Sequence, residues 1–488
     1  MPDHLDANLP KGRFGGLTIF ALVLTLLASL VLVSSRENLP EEPVWSQVQL
    51  AGGSGADSAF AAAYSSVNDS TFIAGAFAGT ASFGSSTLVA SGDSFDGFVS
   101  RLDATGSWVW TVPLAGAGNA GVVALASTPD GGVVVLGSFD GFLQTGSTTL
   151  QATAFTRDIF VGKLTAEGSW AWSHRLGGAY HDAGTSLAAT DDGGAVVVGN
   201  FSGSFAAGDH LLAATGLLYD GFVLKLSPDG SIPWASTIRG SLASTIADVA
   251  VSPKGEVAVA GSASPGSSFG SLVLKTAPRS STMAAFFATL TPTGSWSSLL
   301  SFPSRGNSAA TALASSSDGF KVVGTFTGSL EVPINSATSG STPGSTPSPQ
   351  LNATLESRDL FLASVSSDSK IVWIKPLGGL GEETPTDLYV SRDDFTIVSA
   401  TFTRPLFVAS TALRPTGGVD AMLVRADPAG TWVWGTSLGG PGADSINALV
   451  STGSSLHLVG SLDDVASPEA KGGLDVYIAS LDAGFASP

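Results

Sequence analysis

The stretch DGFVSRLDATGSWVW, from Asp96 to Trp110, decides the fold of this chain. Its first half, DGFVSRL, is rich in apolar residues after the leading Asp and predicts a β-strand. Its second half follows a Gly and places Trp108 and Trp110 two residues apart. Residues two apart point to the same face of a strand. The stretch therefore predicts two neighbouring strands joined by a tight turn, with indoles on one face of the second strand.

The first strand of this stretch recurs along the chain. Further copies begin at Asp158, Asp220, Asp359, Asp420 and Asp475, and a degenerate copy, AAFFATL, begins at Ala284. A Gly before a short aromatic turn keeps nearly the same period, at Gly75, Gly137, Gly199, Gly261, Gly324 and Gly460. Two marks in phase indicate internal repeats. Residues 45–488 then divide into seven units of about 63 residues each.

The repeated Trp residues indicate that this series of units closes on itself. Five of the ten Trp residues follow an Asp mark by 14 positions: Trp110, Trp172, Trp234, Trp373 and Trp434. Trp45 has no mark before it, whereas the chain ends 13 residues after Asp475. The strand of Trp45 is thus predicted to serve as the Trp strand that the last unit lacks. We interpret the indoles as a packing layer between neighbouring sheets; a platform that stacks on sugars is the alternative.

The apolar runs and turn residues of each unit predict four antiparallel β-strands. The runs VVVLG (133–137) and AVVVG (195–199) are continuously apolar, as expected of strands buried on both faces. Asp-Gly pairs supply the positive φ that tight hairpins need. A solenoid would need distinct capping ends, whereas a propeller closes radially. We therefore predict an all-β fold: a seven-bladed β-propeller of four-stranded antiparallel blades over residues 44–488, preceded by one N-terminal transmembrane or signal-anchor helix.

Several of these motifs together resemble the SBBP type of β-propeller repeat. They are the Trp strand, the Leu-Gly-Gly turn at Leu176, Leu377 and Leu438, the Gly-x-Phe turn and the Asp-x-Phe strand. The resemblance covers residues 45–488 and implies a propeller in an exported bacterial protein, without implying an activity. The fifth unit departs most: it has Ala284 in place of Asp, and a polar, Pro-rich stretch at about 335–356 predicts a disordered insertion.

The composition excludes several classes of function. The chain has 488 residues, no Cys and a formal net charge of −18 at pH 7. Without Cys there is no disulfide framework, thiolate metal site or Cys nucleophile. The acidity argues against a nucleic-acid partner, which binds to basic surfaces.

The N-terminal segment predicts export. Phe14 to Val33 carries no charge and, as a helix of about 30 Å, matches the core of a bilayer. Lys11 and Arg13 precede it, so the positive-inside bias places residues 1–13 in the cytoplasm. Residues 14–34 are then a transmembrane helix or a signal peptide, and residues 35–43 a linker. The body is expected in the periplasm or at the cell surface, anchored to the membrane, or secreted if the segment is cleaved.

The repeated Asp residues are the candidate site. They are Asp96, Asp158, Asp220, Asp359, Asp420 and Asp475. By symmetry they form a ring near one face, which predicts either turn-capping carboxylates or a ring that binds a cation such as Ca²⁺. One residue per repeat favours a structural role. His174, His181 and His210 lack the spacing of metal ligands, so we predict no metal site, cofactor or catalytic residue.

These features predict an exported, non-enzymatic propeller that serves as an interaction or structural module at the cell surface. Its partners would be the membrane, through the N-terminal helix, and an unidentified protein or glycan. Two alternatives stay open. One is a propeller enzyme, a hydrolase or a quinoprotein-like protein, with its site at the central channel. The other is a lectin-like propeller that binds carbohydrate.

N-terminal sequencing of the mature protein tests the two forms of the N-terminal segment. We expect an uncleaved anchor, because the apolar stretch of 20 residues is longer than the region of about 7–15 residues in signal peptides. The mature sequence should then begin at or near Met1. A mature protein that begins just after Val33-Ser34-Ser35 would contradict the anchor and support secretion.

Overall fold

The computed structural model describes residues 45–153, 156–215, 218–240, 242–275, 283–332, 350–354, 357–453, 455–463 and 474–482. Within these ranges the chain is all β, without an α-helix. The predicted N-terminal helix lies outside them. The described residues hold no helix with the length and apolar character that crossing a bilayer requires.

Seven sheets in the described part of the chain share one four-stranded antiparallel order. Their innermost strands are β2 (Ser58–Ser65), β9 (Ala120–Ser127), β15 (Ala183–Ala189), β21 (Ser244–Val251), β27 (Ser308–Ser316), β33 (Glu383–Val390) and β39 (Ser445–Ser451). The second strands are β3 (Ser70–Ala78), β10 (Val133–Phe139), β16 (Ala195–Phe201), β22 (Val257–Ala263), β28 (Gly319–Thr327), β34 (Thr396–Phe402) and β40 (Ser455–Leu462). The third strands are β6 (Phe95–Asp103), β13 (Asp158–Leu164), β19 (Asp220–Leu226), β25 (Ala284–Leu290), β31 (Arg358–Ser366), β37 (Asp420–Ala426) and β41 (Asp475–Asp482). The outermost strands are β7 (Trp108–Leu114), β14 (Trp170–Leu176), β20 (Trp234–Arg239), β26 (Trp296–Phe302), β32 (Ile371–Leu377), β38 (Trp432–Leu438) and β1 (Trp45–Gly53). This is an arrangement of the β-propeller type.

Each sheet is offset by one strand from the sequence repeat. The Trp strand is the outermost strand and completes the sheet that the three preceding strands begin. In the last sheet this position is taken by β1, which pairs antiparallel with β41 from Trp45–Leu481 to Ala51–Val476. The first and last described strands of the chain are therefore hydrogen-bonded to each other, as the phase of Trp45 predicts.

The second strands form the centre of each sheet and are buried on both faces. In β10, residues 133–137 are all buried, and so are residues 195–199 in β16. Side chains of neighbouring sheets meet in the layer between them, where Val134 and Leu136 pack with Leu187 and Val197. β-Branched side chains suit such two-sided burial. The core is thus a series of apolar layers between successive sheets.

The innermost strands contact one another in chain order, and β39 in turn contacts β2. Each of them contains a β-bulge, and the bulged side chain can bond the next sheet. Thr185 Oγ1 donates to the carbonyl oxygen of Ile246 at 2.8 Å, and Asn447 Nδ2 donates to that of Ala59 at 2.8 Å. Such bonds pair backbone groups that a bulge removes from the ladder. A channel of about 260 Å³ lies between the strands and is lined by all of them.

In four of the seven sheets an indole joins the outermost strand to the following sheet. Trp110 Nε1 donates to the carbonyl oxygen of Ala166 at 2.9 Å, and Trp234 Nε1 donates to that of Pro292 at 3.0 Å. The same bond joins Trp172 to Pro228 and Trp373 to Pro428. The face of each indole lies against the Gly of the accepting turn; a Cβ on Gly294 would come within 2.5 Å of Trp234. These indoles pack between neighbouring sheets, and their N–H groups bond within the protein.

Two of the predicted repeat aromatics differ from the other four. Trp434 is buried, in the apolar layer that also holds Leu449 and Leu481. For Trp45 the structure describes only the backbone, which pairs with Leu481. The layer around Trp434 lies next to the sheet that β1 completes.

Short hairpins lie between the second and third strands of most sheets. They are β4 (Thr80–Phe83) with β5 (Ser86–Val89), β11 (Phe142–Thr145) with β12 (Thr148–Gln151), β17 (Ser204–Ala207) with β18 (His210–Ala213), β23 (Ser268–Phe269) with β24 (Leu272–Val273), β29 (Ser329–Glu331) with β30 (Gln350–Asn352), and β35 (Leu406–Val408) with β36 (Thr411–Leu413). A two-residue strand, β8 (Gly116–Ala117), pairs with β11. Because β30 falls inside the predicted insertion at 335–356, the prediction of disorder is wrong for 350–352, where the repeat supplies a pairing partner in β29.

The two ends of the sheets differ in their connections. We call the upper face the end where second strands lead into third strands and where outermost strands lead into the next sheet. The lower face carries tight turns, such as the one in which Thr128 N donates to the carbonyl oxygen of Gly132 at 2.9 Å. The upper connections are longer and lead into the Asp marks. Surface loops of this kind are where binding residues concentrate.

Replacing Gly294 by Ala should destabilise the protein more than replacing Gly255 by Ala. Both glycines have φ near the left-handed region, +82° and +76°, but a Cβ on Gly255 would meet nothing within 4 Å. Each change costs about 1 kcal/mol for the backbone, and Gly294→Ala adds about 1–3 kcal/mol for crowding Trp234. Urea unfolding followed by circular dichroism measures both losses. Equal losses would contradict the role of the indole contact.

Candidate binding face

The repeated Asp residues lie at the upper ends of the third strands and are buried. None of them is more than 3% exposed: Asp96, Asp158, Asp220, Asp359, Asp420 and Asp475. Ala284, the degenerate position, is buried in the same place. Their burial removes the carboxylates from the surface that a ligand would reach.

Five of these carboxylates close the connection before their own strand, and for Asp475 most of that connection lies outside the described residues. Asp158 Oδ2 accepts the backbone N–H of Thr153 at 2.9 Å and the hydroxyl of the same residue at 3.3 Å. The same bond from a residue five positions earlier joins Ser91 to Asp96, Thr215 to Asp220 and Thr354 to Asp359. Asp420 accepts the N–H groups of Thr416 and Gly417. A carboxylate that accepts local backbone N–H groups in this way caps a turn.

A second set of carboxylates follows the Gly-Gly turns, and the sequence analysis missed it. Asp182 Oδ2 accepts the N–H of Gly178 at 2.7 Å, and Glu383 Oε2 accepts that of Gly379 at 3.3 Å. The same bond joins Gly53 to Asp57 and Gly440 to Asp444. The signal in the sequence is an acidic residue four positions after the second Gly.

Burial raises the pKa of this second set. The pKa of Asp182 rises to about 6 and that of Glu383 to about 7, mainly because burial disfavours the charged form. The backbone bonds from Gly178 and Gly379 lower the pKa, but by less. Desolvation likewise raises the pKa of Asp57 to about 6. These groups hold turns together and make the fold sensitive to pH.

Two further acids lie in the central channel and link sheets. Asp248 Oδ2 accepts the N–H of Leu313 from the next sheet at 2.6 Å, and Asp387 Oδ2 accepts that of Leu449 at 2.7 Å. Ser186 Oγ donates to Asp248 Oδ1 at 2.6 Å from the preceding sheet. Burial raises the pKa of Asp387 to about 7. The channel acids therefore bond across the gaps between innermost strands.

The His residues of the third unit lie apart from one another in their contacts. His174 stacks on Trp172, and His210 Nε2 bonds the carbonyl oxygen of Ile232 at 3.1 Å. His181 lies on the upper face. Among the described residues no three or more His, Cys, Asp or Glu side chains come together in a way that could hold a metal ion. Calcium binding by the Asp marks stays a prediction.

Two clefts open on the upper face and share one residue, Arg157. The larger, the major cleft, has a volume of about 820 Å³, and its lining includes Asp140, Arg157, His181, Asp182, Asn200 and Tyr219. The smaller, the minor cleft, has a volume of about 340 Å³, and its lining includes Phe60, Phe95, Asn119, Val123 and Arg157. Arg157 directly precedes Asp158, at the end of the long upper connection between β10 and β13. This connection places Arg157 between the two clefts.

The clefts are built on positions that vary from sheet to sheet. The residue before each Asp mark lies beside the residue 24 positions later, and we call these the upper-face pairs. In the pair of Arg157 and His181, the N–H of Asp182 donates to the carbonyl oxygen of Arg157 at 2.9 Å, and His181 Nδ1 accepts the N–H of Arg157 at 3.0 Å. The equivalent pairs are Phe95 with Asn119, Tyr219 with Ala243, Met283 with Asn307, Arg358 with Glu382 and Val419 with Ala443. The marks repeat, whereas the upper-face pairs do not.

These pairs could not be recognised from the sequence repeat, because they occupy positions that differ between units. The residues that the repeat does reveal are the Asp marks, and these are turn caps in the structure. Arg157 stands directly before one of them. Arg157 could have been recognised as a position that varies between units, directly beside a repeated Asp and at the end of a long connection.

Comparisons with known proteins add no family. No family model and no curated protein match the chain. Solved structures that match include Sqt1 from Chaetomium thermophilum, with 12% identity over 90% of this chain and 100% of that one and a TM-score of 0.41. An acylaminoacyl peptidase from Pyrococcus horikoshii matches with 8% identity over 87% of this chain and 51% of its own, at a TM-score of 0.40. A member of the DUF4221 family from Bacteroides vulgatus matches with 10% identity over 90% and 97%, at 0.35. Likenesses this distant carry no argument about function.

The stability of the protein should rise as the pH falls from 8 to 5. A carboxyl whose pKa is about 7 in the folded protein and near 4.5 in the unfolded chain binds its proton more tightly when folded, so protonation between these values favours folding. For Glu383 the gain is about 3 kcal/mol. Glu383→Gln should reduce the slope of unfolding free energy against pH, as measured by urea unfolding at several pH values. The neighbouring change Glu382→Gln should reduce that slope much less, because the charge of Glu382 contributes only a minor part of the raised pKa of Glu383. An unchanged slope in Glu383→Gln would contradict the assignment.

Proposed function

We propose that residues 45–488 form a closed, seven-bladed β-propeller of the SBBP type that serves as a non-enzymatic binding module outside the cytoplasm. The pairing of β1 with β41 supports closure, and so do the contacts of the innermost strands from β2 round to β39. The count of blades rests on the seven four-stranded sheets. Export rests on the apolar segment Phe14 to Val33, either as a membrane anchor or as a cleaved signal.

The observation that carries the binding function is the pair of clefts on the upper face, where the symmetry of the sheets breaks. Their volumes, about 820 and 340 Å³, span the usual range for ligand pockets. Exposed aromatic side chains line them: Phe60 and Tyr219 are each 42% exposed, and Phe95 is 43% exposed. Aromatic residues together with Arg are the residue types that dominate binding surfaces.

The bonding inside the clefts favours recognition over catalysis. Asp140 accepts the backbone N–H of Asn119 at 2.7 Å, and Asp182 accepts the N–H of Gly178. His181 accepts a backbone N–H and so is not bonded to a hydroxyl nucleophile through Nδ1. Nucleophilic catalysis needs a nucleophile within hydrogen-bond reach of a base. The acids and the imidazole of the described lining are instead used to hold the upper connections in place.

A photo-cross-linking amino acid tests which face binds. We place p-benzoylphenylalanine at Tyr219, on the upper face, and, as the matched control, at Val67, which is 61% exposed in a lower-face turn. In intact cells that express the full chain, we expect a cross-linked partner from position 219 and none from position 67, detected by immunoblotting and identified by mass spectrometry.

The other outcomes separate the alternatives. Cross-linking from position 67 alone would place binding on the lower face and contradict the proposal. No cross-link from either position would remove the interaction role and leave a structural one. Signal on a glycan array that depends on the upper face would favour the lectin-like alternative.

A further inference from the structure

We propose that the upper face binds a peptide segment that presents a carboxylate between apolar side chains, and that Arg157 pairs with that carboxylate. This inference rests on the proposed function and names the chemical class of its partner. It starts from the position of Arg157, which lines both clefts and is exposed to solvent.

The guanidinium of Arg157 is a cation without a partner in the described structure. Only its backbone is bonded, through the pair with His181, and no described side chain forms an ion pair with it. Six described cations form ion pairs with acidic side chains, and Arg157 is not among them: Lys163, Arg175, Lys225, Lys321, Arg358 and Lys370. A guanidinium left open between two clefts is suited to a planar, bidentate carboxylate.

The protein itself shows what this position accepts in another sheet. Arg358 occupies the same place in its upper-face pair as Arg157, and its Nε lies 3.4 Å from Glu382 Oε2. Glu382 is the equivalent of His181. In one sheet the chain supplies the carboxylate that faces the arginine; in the other it supplies an imidazole, and the place of the carboxylate is open to a ligand.

His181 and Tyr219 offer donors in the major cleft, whose lining also includes the carboxylates of Asp140 and Asp182, both bonded to backbone N–H groups. Because His181 Nδ1 accepts the N–H of Arg157, the neutral ring carries its proton on Nε2, which can donate. The Tyr219 hydroxyl also lines the cleft and can donate. Together with the guanidinium of Arg157 they form a set of donors, which matches an acceptor-only group such as a carboxylate.

Two polar side chains of the major cleft accept hydrogen bonds from within the protein. Asn200 Oδ1 accepts the N–H of Ile246 at 2.8 Å, and Asp140 accepts both the backbone and the side-chain N–H of Asn119. Sugar hydroxyls are donors as well as acceptors and need both kinds of partner. The apolar lining of the adjoining minor cleft favours a peptide, which carries apolar side chains beside its carboxylate, over a uronic acid within a glycan.

The minor cleft supplies the apolar part of the surface. Phe60 and Phe95 lie along it, and Val123 continues it toward the channel. Both rings are more than two-fifths exposed, so covering them with apolar side chains would remove apolar surface from water, which is favourable. A segment lying across both clefts would place its carboxylate at Arg157 and apolar side chains against Phe60 and Phe95.

An array of octapeptides tests the proposal with the labelled full chain. Each peptide has Asp at its centre and Leu, Phe or Tyr around it, and each is matched by the same peptide with Asn. We expect the Asp peptides to bind at least tenfold more tightly than the Asn peptides. Arg157→Ala and Arg157→Gln should abolish this preference. Arg358→Ala, the matched control, should keep it, because Arg358 already faces Glu382.

Thermal unfolding checks that all three variants keep the fold. Any of three results would overturn the proposal: Asp and Asn peptides bind equally, no peptide binds, or Arg358→Ala loses the preference for Asp peptides as fully as the Arg157 variants do. Binding of uronate-containing glycans in place of peptides would overturn its peptide part. If the cross-link at position 219 persists in Arg157→Ala, binding at the upper face stands and only the carboxylate partner fails; if the wild-type cross-link is missing, the binding function itself fails.

Discussion

The pairing of β1 with β41 is the interaction on which the rest of the structure depends. Six sheets are each built from one continuous stretch of chain, whereas the last takes its outermost strand from the other end. Without β1, the strand β41 would present an unpaired edge and the layer around Trp434 would lose a neighbour. The backbone hydrogen bonds between residues 45–51 and 476–481 therefore hold the first and last sheets together.

Repeated residues in this fold do structural work, and variable ones form the surface. The Asp marks cap upper connections, and the indoles bond the lower turns of the following sheet. The turn cap and the bond between sheets are each needed once per sheet. The clefts arise instead where upper-face pairs differ, as at Arg157 and His181. The repeated residues thus stabilise the connections and the packing between sheets, and the clefts form where the sheets differ.

Sequence reasoning succeeded where a property belongs to a single strand or to its phase in the repeat. The runs at 133–137 and 195–199 read as buried strands and are buried, since β-branched runs suit nothing else in such a repeat. It failed where a bond joins separate sheets. The hydrogen bond from Thr185 to Ile246 joins residues 61 positions apart, and neither the residue types nor their spacing predicts it. The predicted disordered insertion extends too far, because residues from Gln350 pair with β29. The polar, Pro-rich composition of the segment does not reveal this pairing.

The sequence by itself determined the strand units, their repeat and the complementarity of the two ends, because local hydrophobic pattern and turn chemistry act over a few residues. Only the tertiary structure decided which polar groups are used internally and which stay open. Asp158 and Arg157 are neighbours in the chain, yet one is buried in a turn and the other lies open between two clefts. Asp158 begins β13 and is buried between the sheets, whereas Arg157 lies just before that strand and is exposed, so the neighbouring sheets determine what each one contacts.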